Sequence, residues 1–196
     1  MSKHKVHILI LLFSFLALGC AKKVEKKSNA KTNESINFDW SSSKWIGFTK
    51  DERPTEWSSR NGQAKPFPSP LLRTDFSVDK EVESAKVAIA GVGLYELYIN
   101  GKKVGDRVLD PAQTSYDKRT FYVIHDVTNL IKDRENAIGF ILGNGFYGQN
   151  LALSPGLRYG PPRANLILTI KYKDGEFKTV TTDETWKAHA SPIVFD

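Results

Sequence analysis

The feature that most constrains the fold is a strand pattern that ends in a tight-turn signal near the middle of the chain. From Gly91 to Gly101 the sequence reads Gly-Val-Gly-Leu-Tyr-Glu-Leu-Tyr-Ile-Asn-Gly. Successive side chains of a strand point to opposite faces, so Tyr95, Leu97 and Ile99 are predicted to point inward together. Asn100-Gly101 tolerates the positive φ angles of a two-residue turn. The stretch therefore predicts a β-hairpin.

Short strand patterns recur along the rest of the folded part, separated by turn signals and with almost no helical periodicity. Strands are predicted near residues 44–48, 71–78, 85–90, 94–99, 102–106, 120–126, 136–142, 164–172, 177–182, 186–189 and 193–195. One helical turn, capped by Asp126 or Thr128, is predicted after the sixth of these. About ten short strands of this kind favour an all-β fold, a β-sandwich or jelly roll.

The first twenty residues have the composition of a targeting segment. Lys3 and Lys5 provide a positive start, and residues 6–18 are apolar apart from one histidine and one serine. This run is too short to cross a bilayer of about 30 Å as a helix. It ends at Gly19-Cys20, which resembles the lipobox of bacterial lipoproteins and predicts lipidation of Cys20. An ordinary signal peptide with an incidental cysteine is the alternative.

The sequence predicts four regions along the chain. Residues 1–20 are predicted to be a lipoprotein signal peptide, and 21–38, rich in lysine and small polar residues, a flexible tether. Residues 39–70 are predicted to hold an aromatic lead-in strand and a covering loop, and 71–196 the β-sandwich, with the last residues interpreted as a strand cut short. The expected location is lipid-anchored in the periplasm, at the outer membrane or on the cell surface of a bacterium.

Charge distribution argues against a nucleic-acid partner. Residues 1–39 hold seven lysines and three acids, whereas residues 40–196 hold 21 basic and 19 acidic residues. The excess positive charge therefore belongs mainly to the leader, and no clustered basic face of the kind that binds nucleic acid is apparent. His125 and His189 stand alone in sequence, so no zinc site is predicted.

Carboxylates are plentiful, but they show no catalytic pattern. A glycosidase needs two of them about 5–9.5 Å apart across a bond, and nothing indicates that Asp106, Asp110 and Asp117 converge in a cleft. Calcium takes only oxygen ligands, so a Ca²⁺ ion held by Asp106, Asp110 and loop carbonyls is one hypothesis. Solvated loop acids are the alternative.

Aromatic residues in Gly- and Pro-rich connections suggest sugar recognition, since binding residues concentrate in loops. An aromatic plane can meet the apolar face of a sugar ring, and polar side chains can meet its hydroxyl groups. The aromatic candidates are Tyr116, Phe146 and Tyr147, with Tyr159 and Trp57; the polar candidates are Asp106, Arg119 and Asn144. The alternative is that these aromatic rings close the ends of the sandwich.

A series of short motifs, in order along the chain from about Trp40 to the end, resembles the N-terminal domain of bacterial α-L-rhamnosidases. The motifs are Lys44-Trp45-Ile46, Tyr95 to Asp106, Leu109-Asp110-Pro111, Thr114, Tyr116, Arg119, Tyr122, Asp126-Val127-Thr128, Leu142 to Tyr147, Asp183 to Lys187 and Pro192 to Asp196.

The resemblance implies a jelly-roll module that precedes a large (α/α)₆ barrel. In the family that barrel carries the acids for inverting hydrolysis of terminal α-L-rhamnosides, and those motifs have no matching positions in this sequence. Related modules bind rhamnose with help from Ca²⁺, and Asp106 is the position that matches that site. Three hypotheses follow: a non-catalytic module that binds rhamnose-containing glycans, a structural module that only packs on the barrel, and an independent catalytic jelly roll.

Overall fold

The computed structural model describes residues 36–48, 69–148 and 159–193. Nine strands and two short 3₁₀ helices lie within these ranges. The strands are β1 (Pro70–Val78), β2 (Val82–Val92), β3 (Leu94–Ile99), β4 (Lys102–Lys103), β5 (Tyr122–Asp126), β6 (Arg134–Gly143), β7 (Arg163–Tyr172), β8 (Phe177–Thr181) and β9 (Lys187–Ala190), and the 3₁₀ helices are Trp40–Ser42 and Thr128–Leu130. The predicted signal peptide with Cys20, most of the predicted tether, and Trp57 in the predicted covering loop lie outside the described residues.

The strands form two antiparallel sheets. The larger sheet has the order β4-β3-β6-β1-β9 and the smaller sheet has the order β5-β2-β7-β8. Apolar side chains from both sheets form a single core cluster, with Phe140, Leu97 and Leu168 among its fully buried members. Two sheets that bury one shared core define a β-sandwich, so the predicted all-β sandwich is confirmed.

The central hairpin has the predicted form. Tyr95, Leu97 and Ile99 are all buried, and Asn100 and Gly101 have φ angles of 51° and 77°. Positive φ at both central residues is the signature of a type I′ turn, whose twist matches that of the flanking strands. The amide group of Asn100 also donates to the carbonyl of Leu130 at 2.8 Å and accepts from the backbone N–H of Ala137 at 3.0 Å.

The strand predicted near residues 44–48 is wrong in extent, because only one β-bridge forms there, between Ile46 and Ala164. The ladder stops on one side because Pro162 has no N–H to donate. On the other side the backbone N–H of Lys44 donates to Thr182 O at 2.8 Å, and Thr182 Oγ1 donates to Lys44 O at 2.7 Å. We call residues 44–48 the lead-in segment.

The predicted helical turn and the last predicted strands have mixed outcomes. The turn is the 3₁₀ helix Thr128–Leu130, but its N-cap is Val127, whose side chain makes no capping hydrogen bond, so the predicted cap is wrong. The Asp126 carboxylate, one residue earlier, accepts from the N–H of Thr128 at 3.0 Å. The strand predicted at 186–189 is β9. Ile193 does not lie in a strand, and the other two residues of the predicted final strand are outside the described ranges.

Candidate functional site

Three chain segments, which belong to two connections, meet at one end of the sandwich. They are the crossing segment (residues 104–121), the turn that follows β6, and the residues that lead into β7. Gly93, between β2 and β3, allows them to pack closely: a Cβ atom there would lie 2.5 Å from Gly143 O and 2.9 Å from Pro162 Cβ, and its φ is +100°. Only glycine fits both restrictions, so this residue fixes the spacing of the loop end.

Each segment contributes a tyrosine to one cluster, which we call the tyrosine trio (Tyr116, Tyr147 and Tyr159). The Tyr116 ring meets the Tyr147 and Tyr159 rings edge to face, with centroid separations of 5.1 and 5.3 Å. The other two rings stack at 5.7 Å with an interplanar angle of 13°. Burial raises the pKa of Tyr116, and Tyr159 raises it further. These are favourable aromatic geometries, so the rings hold the crossing segment against both ends of the β6–β7 connection.

Phe146 projects from the turn after β6, whereas Asn144 lies beneath the surface. The carbonyl of Asn144 accepts from Gly148 N at 2.9 Å, and its residue is only 7% exposed. Gly145 has φ +48°, and a Cβ atom there would meet Leu94 Cγ at 2.7 Å. The turn is therefore pressed onto β3, and the next residue, Phe146, is left 51% exposed.

Arg119 is directed toward its own loop. Its guanidinium carbon lies 5.8 Å from the centroid of the Phe121 ring, and its Nε donates to Thr114 Oγ1 at 3.4 Å. Its backbone N–H donates to Ser115 O at 3.0 Å, closing a turn. The guanidinium fork has five donors, so this arrangement leaves some of them available to a ligand.

Asp106 is exposed in the crossing segment and makes no hydrogen bond or ion pair with another described residue. In the same segment, Asp110 is tied to β3 through its backbone, since its carbonyl accepts from Tyr95 N at 2.8 Å. Within residues 36–48, 69–148 and 159–193 no three His, Cys, Asp or Glu side chains converge as metal ligands. Ca²⁺ binding by Asp106 with Asp110 and loop carbonyls stays a prediction.

Beneath the crossing segment lies a group of titratable residues that the sequence did not indicate. Tyr95 is buried, and its hydroxyl has no hydrogen-bond partner among the described residues. Burial raises the pKa of Tyr95 and, to a lesser degree, so does Asp110, while Arg107 opposes them. Burial lowers the pKa of His125, which Asp110 opposes and Arg107 reinforces. The inward orientation of Tyr95 was predictable, but its unpaired hydroxyl was not.

Over the part of the chain that the structure describes, no helix has the length and apolar character needed to span a membrane.

Four of the predicted sugar ligands lie together at this end of the sandwich: Tyr116, Tyr147, Phe146 and Asn144. Asp106 and Arg119 occupy other positions of the crossing segment, and neither makes a hydrogen bond, ion pair or ring contact with those four residues. Their assignment as sugar ligands stays a prediction.

Solved structures of similar fold define the class. A lectin from Pleurotus ostreatus in complex with GalNAc matches with a TM-score of 0.51 at 25% identity, over 79% of this chain and 36% of that one. An α-L-rhamnosidase from Aspergillus terreus matches with a TM-score of 0.67 at 34% identity, over 80% of this chain and 17% of that one. The fold is thus a β-sandwich of the kind found in lectins and in one part of rhamnosidases.

The sequence comparisons specify the family. The profile described as the alpha-L-rhamnosidase N-terminal domain matches residues 80–196. An α-L-rhamnosidase from Formosa agariphila is 41% identical over 199 aligned residues, which cover 89% of this chain and 21% of that protein. This chain belongs to the α-L-rhamnosidase N-terminal domain family. It spans about one fifth of the length of that relative.

Proposed function

We propose that this chain is a non-catalytic carbohydrate-recognition module of an α-L-rhamnosidase that acts on rhamnose-containing glycans. The tyrosine trio is the observation that carries the proposal, since it gathers three rings from two connections beside the exposed Phe146. Rings fixed by one another present apolar area to a ligand at little entropic cost. The lectin fold similarity supports the same function.

Catalysis by this chain is not part of the proposal. Hydrolysis of a glycosidic bond needs two carboxyl groups facing each other across the bond, and the sequence indicates no such pair. The catalytic (α/α)₆ barrel of the relatives is the proposed partner of the module. Rhamnosidase activity belongs, in this proposal, to the protein that contains both.

The alternative function is structural: the module packs against the barrel and binds no sugar. One observation favours this alternative. The tyrosine rings contact one another, as they would if their role were to close the end of the sandwich. The two functions differ in what the exposed ring of Phe146 does. A binding module needs that ring in water, and a packing module needs it against protein.

Two phenylalanines of equal exposure separate the alternatives. Phe146 is 51% exposed at the loop end, and Phe177 is 50% exposed where β8 begins, opposite Lys171 at the far end of β7. Phe146→Ala is expected to weaken L-rhamnose binding, measured by titration calorimetry, about fivefold. Phe177→Ala is expected to leave it unchanged. Absence of any heat with L-rhamnose, or with a rhamnosyl oligosaccharide, would favour the structural alternative.

The same L-rhamnose titration, repeated in the presence of Ca²⁺, tests whether Asp106 binds the metal. If the metal contributes, adding Ca²⁺ strengthens L-rhamnose binding in the unaltered chain and has no effect in Asp106→Ala. Asp117→Ala is the matched control, since Asp117 is another exposed acid of the crossing segment. Binding that ignores Ca²⁺ in every variant would remove the metal from the proposal and leave sugar binding in place.

We further propose that Cys20 is lipidated and holds the module at a bacterial membrane, in the periplasm, at the outer membrane or on the cell surface. The support is the sequence alone: a positive start, a short apolar run and Gly19-Cys20. Labelling cells with a fatty-acid analogue is expected to mark the unaltered protein and not Cys20→Ser. Equal labelling of both would exclude lipidation at this residue.

A further inference from the structure

A pocket of about 500 Å³ is lined by residues other than the tyrosine trio. Its wall includes the lead-in segment, Arg163 at the start of β7, three residues between β8 and β9 (Asp183, Glu184 and Trp186), and Ala188 of β9. None of the residues predicted from the sequence as sugar ligands lines it. We call it the Trp45 pocket.

Trp45 lines this pocket and is 43% exposed, although the backbone on both sides of it is fixed. Lys44 N donates to Thr182 O at 2.8 Å, and Ile46 exchanges two backbone hydrogen bonds with Ala164, both at 2.9 Å. An aromatic side chain on a pinned backbone loses little entropy when a ligand stacks on it. The pocket therefore has a pre-formed apolar platform.

The acids of the pocket already have partners. Lys44 Nζ lies 2.5 Å from a Glu184 carboxylate oxygen and lowers the pKa of that carboxyl group. The carboxylate of Asp183 accepts from the N–H of Thr185 at 2.8 Å and from its hydroxyl at 2.5 Å. Lys44 therefore balances the charge of Glu184, whereas the partners of Asp183 are neutral.

Arg163 is different, because its side chain has no ion pair or hydrogen bond to any residue in the described ranges. Its stem packs beside the lead-in segment, where Cγ lies 3.1 Å from the position that a Cβ atom of Gly47 would take. A planar guanidinium binds carboxylate and sulfate groups through two parallel hydrogen bonds. The pocket thus combines an aromatic platform with an unpaired cation, which suits a sugar that carries a negative charge.

The chain itself limits how far the pocket lies from the tyrosine trio. Tyr159 of the trio stands four residues before Arg163, so their Cα atoms are at most about 14 Å apart.

We propose that the Trp45 pocket binds an acidic unit of the glycan, with Trp45 stacked on the sugar ring and Arg163 paired with its carboxylate or sulfate group. This assignment rests on the proposed function and adds the class of glycan to it. The neighbouring unit, a rhamnose, occupies the tyrosine trio.

Titration calorimetry with three matched probes tests the assignment on the full chain. The probes are a disaccharide of a hexuronic acid linked to L-rhamnose, the methyl ester of that disaccharide, and a sulfate monoester of L-rhamnose. The ester keeps the shape and removes the charge. The uronate is expected to bind about fivefold more tightly than its ester, with an advantage that shrinks at high salt. The sulfate arm shows which anion the guanidinium prefers.

Substitutions in the pocket show which residues cause the preference for the acid over the ester. Arg163→Gln is expected to abolish the advantage of the acid over the ester, and Trp45→Ala to weaken both, with Trp45→Phe as a milder variant if the alanine form unfolds. Arg73→Gln is the matched control, because Arg73 pairs with Asp75 at 3.2 Å elsewhere on the surface. Arg73→Gln is expected to leave the affinity for each probe unchanged.

The outcomes separate this inference from the proposed function. Equal affinity for acid and ester, or an advantage that survives Arg163→Gln, overturns the inference even if L-rhamnose binds. An advantage lost equally in Arg73→Gln also overturns it, since it would reflect net charge alone. If no probe and no L-rhamnose binds, the proposed function fails as well.

Discussion

Strands β3 and β7 belong to different sheets, and their side chains are buried in different patterns. Along β3 every second residue is buried and its neighbours are partly exposed, as in a sheet with one face in water. Along β7 every residue from Ala164 to Ile170 is buried. The larger sheet therefore has one dry face at this strand, and the smaller sheet has two.

The second dry face lies on the outside of the smaller sheet. Ala88 on β2 and Ile167 on β7 are paired neighbours and both are buried, yet neither belongs to the core cluster between the sheets. Part of the chain that precedes β1 lies on this side, since the Trp40 ring is 5.6 Å from the ring of Tyr122 on β5. Ile46 instead extends the smaller sheet at its edge through the bridge to β7, and its side chain packs against the core between the sheets.

The outside of the larger sheet is polar instead. On it, Lys103 Nζ lies 2.5 Å from the Glu96 carboxylate, and the Tyr98 hydroxyl donates to the same group at 2.7 Å. Both contacts lower the pKa of Glu96. A network of exposed charges of this kind adds little stability but keeps the face wet. The comparison predicts that equal substitutions on the two outer faces have unequal costs.

Ile167→Ala is expected to give the largest effect. Ile167 is 2% exposed on the outside of the smaller sheet, so its truncation leaves a cavity and should cost about 3 kcal/mol of unfolding free energy. Ile141→Ala, at a partly exposed position on the outside of the larger sheet, should cost less than about 1 kcal/mol. Urea denaturation measures both. Similar losses at the two sites would mean that the outer faces are covered alike.

The strands were largely predictable because the signals that specify them are local. Alternating residues and an Asn-Gly pair predict the central hairpin without knowledge of any other segment. The covered outer face was not predictable in the same way: the alternation from Leu166 to Ile170 indicates a strand, but it does not show whether its second face is dry. That depends on segments far away in sequence, such as the one that holds Trp40.

The candidate site shows the same limit. Sequence places aromatic residues in loops, and the structure shows that Tyr116, Tyr147 and Tyr159 contact one another, which no spacing rule indicates. Asn144 has the chemistry of a sugar ligand, yet it is buried because the Gly145 turn is pressed onto Leu94. Loop packing of this kind depends on contacts between distant segments, so the roles of these residues stay predictions.

Tyr95 and Tyr98 test the two faces of a single strand. Tyr95→Phe removes a buried hydroxyl that has no partner among the described residues, and it is expected to raise the unfolding free energy by about 1 kcal/mol. Tyr98→Phe removes a hydroxyl bonded to Glu96 on the wet face and is expected to lower it by less than about 1 kcal/mol. Urea midpoints compare the two. Destabilisation by Tyr95→Phe would show that its hydroxyl has a partner, such as a buried water.

The smallest expected effect concerns His125, on β5 beneath the crossing segment. Its ring is confined by Gly105, where a Cβ atom would lie 3.0 Å from Cε1, and burial lowers its pKa below the usual 6.5. The His125 ring therefore takes up a proton at a higher pH in the unfolded chain than in the folded chain. Between these two pKa values the unfolding free energy rises with pH. The unfolding free energy should be unaffected by His125 above pH 6.5 and should fall as the pH decreases below it.

His125→Gln is expected to flatten this slope, whereas His189→Gln, at an exposed position on β9, should not. An unaltered slope in His125→Gln would mean that the ring takes up its proton equally well in the folded and the unfolded chain. The crossing segment would then not shield the ring from water.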